Sequence, residues 1–142
     1  MTDTANRLAR AIAAFRAADQ AWTDAYLAIC PRGTWPGDFR YTDTAKGEPG
    51  SALRALHDAF RAAGEEHHAA WVAASKADAA VRANPDLVGK AAYDASLAAA
   101  PLYHDGTPRP AWEQLGKVER WTWERPVTST PKEQTHAKKG SA

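Results

Sequence analysis

The sequence predicts an all-α protein: a long antiparallel helical hairpin with two shorter helices packed across it and a flexible C-terminal tail. Three observations point there. Alanine, the strongest helix former, supplies much of an apolar content that reaches 44% of the chain. Apolar residues recur at spacings of three and four through two long stretches. Proline and glycine, Gly64 apart, fall outside those stretches, where they stop helices. Alanine buries little area, so the core must lean on six Trp, four Tyr, three Phe and scattered aliphatic side chains.

The first helix is expected from about Thr4, as its cap, to Ile29. Leu8, Ile12, Phe15, Trp22, Tyr26 and Ile29 make one apolar stripe, interrupted at Asp19, and Arg7, Arg10, Arg16 and Asp24 lie mostly off it. Pro31, Gly33, Pro36 and Gly37 end the helix. A connection follows from Cys30 to Gly50. Trp35-Pro36-Gly37-Asp38 has the chemistry of a turn, and Phe39-Arg40-Tyr41-Thr42 alternates like a short extended piece. A connection this long in a compact domain serves a function or lacks order, and three aromatic residues argue against plain disorder.

The second helix runs from about Ser51 to Arg82. Leu53, Leu56, Phe60, Ala63, His67, Ala70, Ala74 and Val81 form its stripe, with Trp71 beside it and Gly64 marking a kink or a close helix contact. Asn84-Pro85-Asp86 reads as the start of a third helix, with Asn as N-cap and Pro in the first position, running to about Ala100 before Pro101. His104-Asp105-Gly106 and Pro108 to Pro110 are turn residues, and a last helix begins between Pro110 and Lys117. Residues 1–126 then form a single helical domain, and 127–142, nearly without apolar side chains, form the tail. In the hairpin, Tyr26 should fall near Leu56, Trp22 near Phe60 and Phe15 near His67. That register predicts a buried hydrogen bond between Asp19 and His67, the polar members of the two stripes.

The chemistry is bounded mostly by exclusion. Net charge is +1, with 18 basic and 17 acidic residues, which gives no global attraction to nucleic acid or an anionic membrane. No apolar run approaches the ~20 residues of a membrane span. The N-terminus lacks the pattern of a secretory signal, and the lone Cys30 suits a reducing compartment, so a cytoplasmic location is expected. Cys30 reads as a small residue packed at a helix end rather than a reactive thiol. Glu65 and His68 stand at the i, i+3 spacing of carboxylate-bridged metal bundles, but no second such pair exists, and a solvated charged face is the better reading. No nucleophile elbow, dinucleotide fingerprint or phosphate-binding loop occurs, so no catalytic residue and no cofactor is assigned.

The segment Glu119-Arg-Trp-Thr-Trp-Glu-Arg125 holds two tryptophans two apart. On a helix they point in nearly opposite directions, so only one can face the core. Trp123 continues the face of Trp112, Leu115 and Glu119 and reads as an anchor. Trp121 lies with Val118 and Arg125 and reads as half-exposed, with Arg125 stacked on its ring and Arg120 paired to Glu124. Trp112-x-x-Leu115 followed by Arg120-x-x-Trp123 resembles a Pro-Trp-x-x-Leu, Arg-x-x-Trp pattern of short, uncharacterised actinobacterial and actinophage proteins. Here Ala111 separates Pro110 from Trp112, and Gly116 follows Leu115 where proline or an acid is usual. The resemblance implies a small helical module, encoded by a phage or other mobile element, and no mechanism.

These readings converge on a non-catalytic protein-interaction or regulatory module. Its candidate contact residues are Trp35, Phe39, Arg40 and Tyr41 in the connection, with Trp121 and Arg125 as a second patch, because Trp, Tyr and Arg anchor interfaces. The competing reading of Trp35, Phe39 and Tyr41 is a loop folded down over the core. Partners are a protein or a second copy of the chain, without a membrane. The alternative is weak nucleic-acid binding, in which Arg120, Trp121, Trp123 and Arg125 offer stacking and phosphate contacts and Lys132, Lys138 and Lys139 follow. Glu113, Glu119 and Glu124 in the same segment oppose it.

Overall fold

The computed structural model describes residues 2–125; the expected tail, 127–142, lies outside the described residues. Six helices occur in the order α1 Asp3–Leu27, α2 Pro36–Phe39, α3 Asp43–Lys46, α4 Ala52–Arg82, α5 Gly89–Ala99 and α6 Lys117–Glu124, with a 3-10 turn at Trp112–Gln114. No strand is present among the described residues. The long helices α1 and α4 form the hairpin, α5 lies along α4, and α6 packs on α5.

Helix α1 starts earlier than the stripe suggests. Thr2, not Thr4, is its cap, accepting from the Ala5 N–H at 3.2 Å, and its hydroxyl also donates to the Ala98 carbonyl. The helix stops at Leu27, so Ile29 is outside it and half-exposed. Ser51 caps α4 by accepting from the Arg54 N–H at 3.1 Å. The expected start of the third helix is overturned. Asn84 Oδ1 accepts from the Asp86 N–H at 3.0 Å, and the Leu87 N–H bonds back to the Asn84 carbonyl, closing a turn. Helix α5 begins only at Gly89, after an extended Val88. An Asx turn and an N-cap use the same side chain, and here the turn prevails.

The hairpin register is the one expected. Trp22 stacks on Phe60 with centroids 4.9 Å apart, Phe15 lies 5.3 Å from His67, and Leu56 packs against the cluster containing Tyr26. The core has two parts. Near the start of α1, Leu8, Ala11 and Ile12 meet Ala70, Ala74 and Ala100, small residues that let the helices approach closely. Gly64 lies against the Phe15 ring, where a Cβ would make an ordinary contact at 3.4 Å, so the approach does not depend on it. Toward the connection the core turns aromatic, with Trp22, Tyr26 and Phe39 around Ala45, Leu53, Leu56 and Phe60.

The connection is neither extended nor disordered. Trp35-Pro36-Gly37-Asp38 is a turn that continues into one helical turn, with Pro36 in the first position; Phe39 ends α2, and Thr42 caps α3. The buried Trp22 indole N–H donates to the Ala45 carbonyl at 2.8 Å, which fastens α3 to the hairpin. The Asp19–His67 bond does not form. Asp19 Oδ1 instead accepts from Arg40 at 2.6 Å, and His67 lies against Phe15 and the His104 ring. A guanidinium from the connection supplies what a neutral imidazole would have supplied less strongly.

Candidate interaction surface

The contact residues expected in the connection divide into two kinds. Phe39 is buried in the aromatic core. Arg40 lies over the Trp22 ring at 4.6 Å and the Phe60 ring at 5.0 Å, bonded to Asp19 and to the Thr23 hydroxyl. These two are core cover. Trp35 and Tyr41 remain 72% and 77% exposed, and the Trp35 indole lies so close over Gly37 that a Cβ would meet its nitrogen at 2.7 Å. Cys30 is half-buried against the same aromatic core.

The second patch sits at the other end of the hairpin. The connection packs against Leu53 and Leu56 at the start of α4, whereas Trp123 lies under Arg82 at its end. At 1.5 Å per residue these points are ~40 Å apart, so the two groups are separate surfaces.

Helix α6 is short and owes its placement to side chains that brace it. Glu119 reaches back to the Gly116 N–H at 2.9 Å. Arg120 bonds the Trp112 and Glu113 carbonyls at 3.2 and 2.7 Å, joining α6 to the 3-10 turn, where the Trp112 carbonyl also accepts from the Leu115 N–H. The expected Arg120–Glu124 pair is therefore absent among the described ion pairs, because Arg120 is committed elsewhere. Trp123 meets Tyr93 edge-on at 5.2 Å, Trp112 flanks the same ring at 5.8 Å, and Leu115 is buried. Every residue of the Trp-x-x-Leu, Arg-x-x-Trp pattern thus braces the segment or anchors it.

The outer face of α6 carries Lys117, Val118 and Trp121, and Arg125 follows as its C-cap. Val118 is 75% exposed and Trp121 52% exposed, and the Arg125 guanidinium stacks on the Trp121 ring at 4.1 Å as its spacing predicts. Among the described residues neither Lys117 nor Arg125 has a carboxylate in ion-pair range. The acids nearby are turned elsewhere: Glu113 toward Lys90 at 3.6 Å, Glu119 onto Gly116, and the Glu124 chain toward Gly89. An apolar pair flanked by two cations is left on a braced helix.

Behind α6 lies a network that sequence reasoning missed. Asp78 binds Arg82 at 2.8 Å and accepts from the buried Ser96 hydroxyl; Arg109 donates to Ser96 Oγ at 2.9 Å and to the Ala100 carbonyl at 2.8 Å. Burial holds the Tyr93 phenol above its usual range, and its hydroxyl donates to the Pro110 carbonyl at 2.7 Å. The only advance signal was polar residues at otherwise apolar helix positions. A cleft of 160 Å³ between Arg82, Leu87, Ala92, Thr122, Trp123 and Arg125 adjoins this network. It is small beside the ~300–1,000 Å³ of ordinary small-molecule sites, which favours a surface contact over an enclosed ligand.

Glu65 is exposed and lies 3.7 Å from Arg61, and among the described residues no three His, Cys, Asp or Glu side chains cluster as metal ligands. No helix among the described residues is long and apolar enough to cross a membrane. Comparison with known protein families, curated proteins and solved structures returns no match to this chain.

Proposed function

We propose that this protein is a non-catalytic interaction module whose docking face is the outer side of α6, and that its partner is a protein segment pairing apolar side chains with carboxylates. A cytoplasmic location and a regulatory role belong to the same reading. The observation that carries it is the exposed Val118–Trp121 pair between Lys117 and Arg125, cations with no ion-pair partner among the described residues. Trp and Arg dominate binding hot spots, and a braced helix presents them at low entropic cost. Fluorescence anisotropy with labelled amphipathic peptides tests it. An acidic peptide should bind the full chain, its charge-reversed counterpart should not, and Trp121→Ala should weaken binding roughly thirtyfold, the ~2 kcal/mol of a hot spot. Equal binding of both peptides, or no effect of Trp121→Ala, would sink the reading.

A second reading is weak binding of single-stranded nucleic acid. It is favoured by one specific observation, the Arg125–Trp121 stack, which pairs a base-stacking ring with a phosphate-seeking cation. Both glutamates are exposed, but Glu113 faces Lys90 and Glu119 is bonded to the Gly116 N–H, which offsets part of the expected repulsion. Binding of a labelled oligothymidine that falls steeply with salt and is lost in Trp121→Ala would favour it over the first reading.

A further inference from the structure

The segment between α5 and the 3-10 turn is a small loop whose ends and tip are held by different interactions. At its ends, the Arg109 N–H bonds the Pro101 carbonyl at 2.9 Å and Tyr93 bonds Pro110. Its tip is closed by Tyr103 N–H to the Thr107 carbonyl, beside an isolated bridge of Leu102 with Pro108. That tip is seated on the hairpin. A Cβ on Gly106 would lie 2.8 Å from Ile12 Cγ2, Arg16 of α1 donates to the Asp105 carbonyl, and His104 lies 4.9 Å from His67 and edge-on to Trp71 at 5.3 Å.

His67 is the weak point of this seat. It is buried, and its Nε2 has no hydrogen-bond partner. The charged or titratable groups around it are Arg16 from α1, His68 on its own helix and His104 from the tip. Asp105, the tip's carboxylate, is spent on the Thr107 N–H and hydroxyl. A proton on His67 would therefore be buried beside the Arg16 guanidinium and the His104 ring, with no carboxylate among the groups that face it.

We infer that residues 101–110 form an acid-released latch: protonation of His67 unseats the loop tip from α1 and α4 and uncovers Ile12, Trp71 and Leu102. Burial first, and then the charge of His104, hold the His67 imidazole below its ordinary range; the His104 backbone carbonyl works the other way without reversing it. The sign follows. The seated state binds the proton less tightly than the unseated state, so seating is fully favoured above the ordinary imidazole value of about 6.5 and weakens as pH falls below it. One such group changes the seated-to-unseated ratio by at most about tenfold per pH unit. This inference stands independently of the α6 docking face.

The test is an NMR titration of the full chain. The nuclear Overhauser contact between the Ile12 γ2-methyl and Gly106 α-protons should fade below pH 6.5 while contacts between α1 and α4, such as Trp22 to Phe60, persist. In His67→Leu the Ile12–Gly106 contact should survive to lower pH. A contact that does not fade in the wild-type chain overturns the latch, as does fading that is unchanged in His67→Leu or accompanied by loss of the α1–α4 contacts. If His67→Leu does not fold, the His67 ring titration in the wild-type chain decides: a value below the ordinary range supports the latch, and one at or above it overturns it.

Discussion

Replacing Arg40 by alanine separates a structural arginine from a binding one. The guanidinium spans the aromatic core, 4.6 Å from the Trp22 centroid and 5.0 Å from that of Phe60, and holds Asp19 at 2.6 Å. The pair is part-exposed, at 23% for Arg40 and 39% for Asp19, so solvent screening limits the ion pair to about 1 kcal/mol. The cation over the rings contributes about 0.5–1 kcal/mol, and burial of most of the side chain's stem about 1–2 kcal/mol. Freeing the side chain offsets about 1–1.5 kcal/mol of this in rotamer entropy. Asp19 is exposed enough to regain water, so it adds no burial penalty. The net expectation for Arg40→Ala is a loss of about 2 kcal/mol, or a Tm lowered by about 4–8 °C. Arg40→Met, which keeps the stem, should recover about half of that loss through packing. Urea denaturation monitored by circular dichroism measures both. A change below about 0.5 kcal/mol in Arg40→Ala, the behaviour of an ordinary surface residue, would refute the assignment and restore Arg40 as a free contact residue.

The two tryptophans of α6 should part company in the same assay: Trp123→Ala loses about 2–3 kcal/mol with its Tyr93 and Arg82 contacts, and Trp121→Ala stays within about 0.5 kcal/mol. Gly47 and Gly50 share a φ of +81°, but a Cβ at Gly47 would lie 2.7 Å from the Arg54 backbone nitrogen, whereas at Gly50 nothing is within 4 Å. Gly50→Ala should therefore cost about 1 kcal/mol and Gly47→Ala at least about 1 kcal/mol more, and equal losses would contradict the close approach. Thr2→Ala should cost about 1 kcal/mol as a lost cap, with Thr4→Ala near zero; the reverse order in thermal melts would return the cap to Thr4.

The hairpin was legible because its signal is periodic. Stripes of period near 3.6 place Trp22 against Phe60 and Phe15 against His67 once the turn is centred, and no other information is needed. The opposed roles of Trp121 and Trp123 followed from the same geometry. What failed was local chemistry with more than one outlet. Asp19 could bond any donor in reach, and Arg40 arrived from a connection whose path carries no periodic signal. Asn84 could cap a helix or close an Asx turn, and Arg120 could pair along its helix or cap the turn before it. Ser96, Asp78 and Arg109 meet only after α5 and the following loop have packed on α4, so no spacing within one segment announces their network. Of the candidate site, the aromatic residues could be named in advance. Which of them stay exposed depends on how the connection folds down, as Phe39 beside Tyr41 shows.

The outer face of α6, proposed above as the place where a protein partner docks, can be probed in the cell. A photo-crosslinking amino acid at position 118, in the full chain expressed in its own host, provides the test, with position 72, half-exposed on α4, as the reference. The account predicts nuclease-resistant protein adducts at 118 that are absent at 72, disappear with Arg125→Glu, and are competed by the acidic amphipathic peptide. Adducts equal at both positions, or adducts at 118 that nuclease removes, would contradict it.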